Sequence, residues 1–397
     1  METTVKGLTL EPDDLRGISV GDVQLIKASQ VKNAFAKFPR TPLGPRLIAM
    51  VKDVLHERLE TRLTNLSRDE GVHEEMLGAD IEDQIAVFGE PINPVDEADT
   101  TRLARLYVDH KYSDVHDLIE TAGWLRIDRI GQRLLGHQLN AAEYLYLRSL
   151  ITGAGDRNAR YVMVDEVQDY SPAQLMVMAR YFSNAHFMLL GDARQSIFEG
   201  SVSFDQLEQI LKDAGITKKD ADIKRLKLLT SYRSTPEITN LFMSLYERNE
   251  AIQTHSVQCK GVAAKLLVTK DADTYLDRLR KLVEGQREED GLTAIVTDDR
   301  ARAHWIGKQL GKSVRVLEDK DILPLSGVVV MDLAMAKGLE FDTVIVPDVQ
   351  ASVYEATPRY RRRLYTAISR AMHKVVLVSQ GEPTSMLEGS PVEKENL

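Results

Sequence analysis

Cysteine is almost absent: Cys259 is the only one among 397 residues. That excludes an internal disulfide and a cysteine-rich metal centre. No chemistry-bearing motif surrounds it, so a small inert residue is the better reading than a catalytic thiol. No apolar run approaches the ~18 residues of a membrane-spanning helix, and the opening METTVKGLTLEPDD lacks the basic-then-apolar layout of a secretory leader. A reducing cytoplasm is the expected setting. Internal repeats and low-complexity tracts are missing as well. So is any Gly-x4-Gly-Lys-Ser/Thr loop, the backbone cradle that grips nucleotide phosphates.

What is present is ordinary in bulk, with 43% hydrophobic and 28% charged residues. A chain of this length buries a large core and has room for two or three domains. The net charge of −9 is uneven. Asp69 to Asp99 holds eleven acidic residues and no Lys or Arg, and the rest is close to neutral. A chain built mainly for non-specific DNA binding is more often basic overall. The acidic stretch reads as a solvated insertion or mobile loop, with a surface for a basic protein partner as the lesser alternative.

Residues 1–150 read as mainly helical. Arg46 to Leu63 and Leu118 to Leu135 carry apolar residues at helical spacing. Asn140 with Glu143 three positions on reads as a capped helix start, and Gly89 to Pro94 reads as a loop. From residue 160 short apolar runs alternate with helical stretches. Tyr161–Val164, Phe187–Leu190, Lys265–Val268, Thr293–Val296, Val328–Met331, Val344–Val346 and Val375–Val378 are the buried-strand candidates. Such alternation implies an α/β fold with a parallel sheet covered on both faces, whose ligands sit beyond the carboxyl ends of the strands.

The chemistry-bearing residues fall at those ends. Asp165-Glu166 follows an apolar strand. One carboxylate there could hold Mg2+ through water while the other accepts a proton from attacking water. As a bare dipeptide it is a polar turn; within Val-Asp-Glu-Val-Gln-Asp, and with Gly191-Asp192-x-x-Gln195 after the next strand, the functional reading is strong. Gln195 could orient water or sense a terminal phosphate, and Phe198 could stack on a base or simply fill a rim. Arg233 and Arg370 could supply charge to a phosphoryl group, Tyr232 could stack on a nucleobase, and Gly338 and Glu340 could approach a nucleotide and its ribose. Arg359, Arg361, Arg362 and Arg363 form a basic cluster, by default a solvated helix face.

Taken together these segments resemble superfamily 1 helicases of the UvrD/Rep class. Asp165 to Asp169 looks like that family's motif II and Gly191 to Phe198 its motif III. Ser231 to Ser234 is similar to motif IV, Lys337 to Asp342 to motif V and Leu364 to Ala371 to motif VI. The phrases Asp-Glu-Val-Gln-Asp-Tyr-Ser-Pro-Ala-Gln, Ser-Tyr-Arg-Ser-Thr-Pro-Glu-Ile and Arg-Ala-Met-His-Lys look closest to the HelD branch, whose members bind bacterial RNA polymerase. The resemblance implies an incomplete first RecA-like domain with a helical N-terminal region, and a complete second one. Residues 1–150 would lead into the first, 151–225 would hold its motifs II and III, and 226–397 would form the second. It further implies ATP and Mg2+ as cofactors. Asp165 and Glu166 would be the metal and water-activating carboxylates, Gln195, Arg233 and Arg370 would face the γ-phosphate, Tyr232 the base and Glu340 the ribose.

Three departures from the family pattern stand out. The phosphate loop and the adenine-reading glutamine motif are missing. Glu199-Gly200-Ser201-Val202 replaces the Trp-Arg-Gly-Ala that follows motif III, and Asp332 and Ala334 replace the Thr and His of motif V. The leading expectation is therefore the C-terminal part of a HelD-like ATPase acting with RNA polymerase, inactive until an N-terminal chain supplies the phosphate loop. A UvrD-class helicase fragment on single-stranded DNA, and a non-catalytic interaction module, are the alternatives.

Overall fold

The computed structural model describes residues 4–5, 7–198, 200, 202–216, 223–246, 254–286 and 291–397. Residues 1–162, 172–187 and 209–218 form one compact unit; 163–171, 188–208 and 219–397 form another.

The first unit is mainly helical. A short antiparallel hairpin, β1 (Ile18–Val20) and β2 (Val23–Ile26), precedes α1 (Ala28–Ala36), α2 (Pro45–Leu66), α3 (Glu70–Leu77), α4 (Ile81–Phe88), α5 (Glu97–Lys111), α6 (Asp114–Glu120), α7 (Ile127–Leu135) and α8 (Ala141–Thr152). The long α2 runs over the stretch that apolar spacing marks, and buries Leu47, Ile48, Val51, Val54, Leu55, Leu59 and Leu63 in one core. The start of α8 is a reciprocal cap: Asn140 Oδ1 accepts from the Glu143 N–H at 3.0 Å, and Glu143 accepts from the Asn140 N–H at 2.9 Å.

One expectation is corrected here. The acidic stretch is not a mobile loop: it folds as α3, α4 and the first turn of α5. Asp69 caps α3 by accepting from Gly71 and Val72, while Val72 and Met76 enter the core. Glu75 pairs with Lys111 and Tyr107 of α5, so part of the negative charge is matched within the unit. The helical spacing from Leu118 to Leu135 is carried by two helices, α6 and α7. Ala122 takes φ +54°, and Trp124, fully buried, donates its indole N–H to the Ile119 carbonyl at 3.3 Å, which reverses the chain before α7.

The strand β3 (Tyr161–Val164), the helix α9 (Pro172–Tyr181) and the strand β4 (His186–Leu189) follow. The Arg160 carbonyl accepts from the His186 N–H and the Val164 carbonyl from the Leu190 N–H, so β3 and β4 run parallel. These strands are where expected but are not buried: Tyr161 is 70% and Met163 72% exposed, with Met188 and Leu190 exposed too. Side chains alternate along a strand, and in β3 and β4 alternate positions meet solvent.

The rest of the second unit contains α10 (Phe204–Asp213, shared with the first unit), β5 (Thr230–Ser231), α11 (Pro236–Ser244), β6 (His255–Ser256), β7 (Ala264–Thr269), α12 (Ala272–Glu284), β8 (Leu292–Thr297), α13 (Arg300–Leu310), β9 (Arg315–Val316), β10 (Gly327–Asp332), α14 (Leu333–Ala336), β11 (Phe341–Val346), α15 (Pro358–Ile368), β12 (Ala371–Gln380) and β13 (Val392–Asn396). Seven strands form one parallel sheet in the order β13-β7-β12-β11-β8-β10-β9. Ile295 of β8 lies between Val330 of β10 and Ile345 of β11. Both faces are covered, which is why the strands read as unbroken apolar runs. Leu266, Ala294, Val329, Val344 and Leu377 pack on one face with α11 and α15; Leu267, Ile295, Val330, Ile345 and Val376 pack on the other with α12 and α13. The chain is thus α/β, with a helical N-terminal region and a large parallel sheet consistent with a RecA-like arrangement. No described helix is long and apolar enough to cross a membrane.

Candidate nucleotide-facing site

The loops after β3 and β4 are laced together by one buried amide. Beyond β3 the chain turns at Glu166, which takes φ +50°, and a 3-10 turn spans Val167–Asp169. Gln168, almost fully buried, donates its side-chain amide to Glu166 Oε2 at 2.5 Å. Its Oε1 accepts from the Asp192 N–H at 3.0 Å, and the Val167 N–H bonds the Leu190 carbonyl at 2.8 Å. Asp165 Oδ1 accepts from the Glu166 N–H at 2.8 Å, which leaves the exposed Asp165 carboxylate facing outward.

A second 3-10 turn, Ala193–Gln195, is capped by Asp192, whose Oδ1 accepts from the Arg194 N–H at 2.9 Å. The other Asp192 oxygen accepts from Gln195 Nε2 at 3.1 Å and from the Tyr365 hydroxyl at 3.2 Å. With its amide nitrogen so held, Gln195 turns its carbonyl oxygen to the Arg370 guanidinium, which donates to it. Arg370 is 1% exposed and gives its Nε to the Thr366 carbonyl at 3.3 Å. Burial, and then the neighbouring Arg233 charge, hold this guanidinium below its ordinary value; Glu166 and Glu340 act the other way. Arg233 itself pairs with Glu340 at 2.5 Å.

The structure therefore brings Glu166, Gln195, Arg233, Glu340 and Arg370 into one electrostatic group, with Asp165 joined through the backbone. It does not draw in Tyr232, whose ring is exposed, or Gly338, which occupies a φ +78° turn after α14. Among the described residues no hydrogen bond ties either to the group. Phe198 is half exposed and lies 6.0 Å from Lys337 Nζ. Glu199 and Ser201 fall outside the described residues.

Sequence reasoning missed three participants. Gln168 lay in plain view within the first motif, but its bridging role needs the fold. Lys337, 7% exposed at its side chain, pairs with Asp169 and donates to the Gln195 carbonyl at 2.7 Å. Tyr365 reaches Asp192 from the middle of α15. No group of three or more metal-ligating side chains occurs among the described residues. A Mg2+ ion that keeps most of its waters needs only one or two carboxylates, which Asp165 and Glu166 can supply. The donor set also suits an anion: two guanidiniums repel one another here, and a phosphate would relieve that. These residues would hold one side of a nucleotide's phosphates, without the backbone cradle of the other side.

Residues 109–201 match the UvrD/REP helicase N-terminal domain family, and residues 327–378 match the UvrD-like helicase C-terminal domain family. Among solved structures, the chain is similar to the C-terminal domain of a possible DNA helicase from Lactobacillus plantarum WCFS1. Identity is 28%, with 42% of this chain and 98% of that one covered and a TM-score of 0.35. No curated protein matches the chain. The two family matches include Gln195 and Arg370 respectively, so this contact joins two stretches that each match a UvrD-type helicase family.

Proposed function

We propose that this chain carries the C-terminal part of an ATP-driven UvrD-type motor that works on single-stranded DNA. It would hold part of a first RecA-like domain and the whole of a second. The observation that carries the reading is the Gln195–Arg370 contact, with Glu166, Arg233 and Glu340 within electrostatic reach of the same guanidinium. Bound ATP with Mg2+ supplies a phosphoryl group open to attack by water. Toward it, Arg370 and Arg233 present positive charge, Glu166 accepts a proton, and Asp165 holds the metal through water. Gln195, fixed at both ends, reports the state of that group to the turn that continues to Phe198. The Arg233–Glu340 pair has to open for Arg233 to face phosphate and Glu340 to meet the ribose. The phosphate loop comes from a separate segment, and the chain alone hydrolyses negligible ATP.

A second reading, an RNA polymerase-associated motor of the HelD type, is favoured by one feature. Asp332 stands where the family has a threonine, and its Oδ1 is engaged in capping α14 through the Met335 N–H at 2.9 Å. A carboxylate there repels a DNA phosphate instead of binding it.

The test is ATP turnover by the purified chain alone and together with a separately supplied segment that carries a Gly-x4-Gly-Lys-Ser/Thr loop. Negligible turnover alone, and DNA-stimulated turnover together that is lost in Glu166→Gln, is the expected result. Robust turnover alone, or none in either, overturns the proposal. Stimulation by RNA polymerase in place of DNA selects the second reading.

A further inference from the structure

The folded acidic stretch presents apolar side chains to solvent, and α4 is the clearest case. Gln84 is the buried residue of this helix, while Ile81 and Ile85, one turn apart, are 64% and 45% exposed. Leu77, the last residue of α3, is exposed as well, and only Gly78, Ala79 and Asp80 separate it from α4. A surface helix ordinarily turns its apolar stripe to the core and its polar residues outward. Here a glutamine takes the inner position and is held in it. Its Nε2 donates to the Ala79 carbonyl at 3.0 Å, and its Oε1 accepts from the Ile92 N–H at 3.1 Å. Phe88 of the same helix packs against the core of the unit. With Gln84 and Phe88 so engaged, α4 cannot roll its isoleucines inward without breaking both hydrogen bonds.

These side chains stand among carboxylates. Asp69 to Asp99 contains no Lys or Arg. The nearby cations are spoken for, Lys111 by Glu75 and Arg102 by Asp99. Among the described residues no ion pair reaches Glu74, Glu82 or Asp83, all three exposed. Acidic residues in a first helical turn suit the helix dipole, which accounts for Glu82 and Asp83 but not for the isoleucines beside them. An anionic bilayer and a nucleic-acid strand are both repelled by such charge. The complementary partner is apolar along one stripe and positive on either side of it. We propose that α4 and the end of α3 form a docking surface for a basic amphipathic helix of another protein. The partner's apolar stripe covers Leu77, Ile81 and Ile85, and its Lys and Arg side chains face Glu74, Glu82 and Asp83. The surface belongs to the helical unit alone and stands apart from the ATP reading.

The experiment reads fluorescence anisotropy of a labelled synthetic peptide with leucines along one helical face and lysines on the rest. It is titrated with the natural chain, with Ile81→Gln/Ile85→Gln and with Glu82→Gln/Asp83→Asn. All four positions are exposed, so both variants should keep the natural thermal midpoint. The apolar variant is expected to weaken binding about tenfold or more. The charge variant is expected to weaken it about fivefold and to make it less sensitive to chloride. A peptide of the same composition with its leucines scattered around the helix should bind about tenfold more weakly, and one with glutamate for lysine should not bind. No binding of the lysine peptide, or equal binding by the scattered peptide or by both variants, overturns the proposal. Two further measurements address other occupants. A dimer in sedimentation velocity that is lost in Ile81→Gln/Ile85→Gln would assign the face to a second copy. Co-sedimentation with phosphatidylserine vesicles, lost in the same variant, would assign it to lipid. Either result overturns the proposal too.

Discussion

Arg370 donates to the side-chain carbonyl of Gln195, although the two residues lie 175 positions apart in the chain. The guanidinium is buried and keeps one further acceptor, the Thr366 carbonyl, besides the adjacent Ser369 hydroxyl. Gln195→Ala therefore strands a buried charge, and is expected to lower stability by about 1.5–3 kcal/mol. Combined with Arg370→Met, which removes that charge, the loss should shrink by about 1 kcal/mol or more relative to additivity. Denaturant unfolding of the four proteins in this cycle measures the coupling. Strict additivity would show that the contact carries no energy.

Gly191 has no room for a side chain. A Cβ there would lie 2.2 Å from Gln168 Oε1 and 3.0 Å from a Val167 methyl. Gly191→Ala must push the Gln168 amide off the Asp192 N–H, and so loosen its hold on Glu166. A cost of about 1–3 kcal/mol is expected, read as a lower thermal midpoint. Gln168→Ala in the same background should add little, since the bridge is already broken.

Stability should fall at both extremes of pH, for opposite reasons. Burial raises the Tyr107 and Tyr246 phenols to about 12 in the folded chain. An unfolded tyrosine ionises near 10, so this contribution is complete below that pH and is lost as pH climbs from there through about 12. On the acid side, hydrogen bonds from Lys111 and His56 hold Glu75 and Glu120 below the ordinary carboxylate value. Their contribution is present above that ordinary value and is lost as pH falls through the lowered ones. Absorbance titration of tyrosinate with parallel unfolding curves checks the alkaline arm. Two phenols ionising with normal midpoints in the folded protein would contradict it.

Tyr246→Phe is expected to stabilise the ligand-free chain. The hydroxyl it deletes is buried without a partner, and such a group costs about 1–3 kcal/mol. Part of that is recovered, so the midpoint should rise while the ring stays stacked near Arg194 and Arg361. A fall in midpoint would mean that the hydroxyl has an ordered water to bond.

Much of the fold was legible because local rules and burial agreed. Ile295 and Val330 sit in runs apolar at every position, which only a sheet covered on both faces explains. Asn140 and Glu143 name their own cap. The acidic stretch misled because charge was weighed alone. Val72 and Met76 recur at helical spacing inside it, and Glu75 finds Lys111 only after α5 folds back. The break after Glu120 depends on Trp124 being buried, a tertiary matter. Within the site, the residue types stood in the sequence while their pairings did not. Nothing local says that Lys337 meets Asp169 or that Glu340 is held by Arg233.

The turn at Glu166 has a further consequence. A φ of +50° suits glycine and costs other residues about 1–3 kcal/mol. Alanine at 166 would keep that strain and lose the Gln168 contact, while glycine would release it. Glu166→Gly should thus outlast Glu166→Ala on heating. The backbone pulls this position toward glycine, and a carboxylate stands there against that preference.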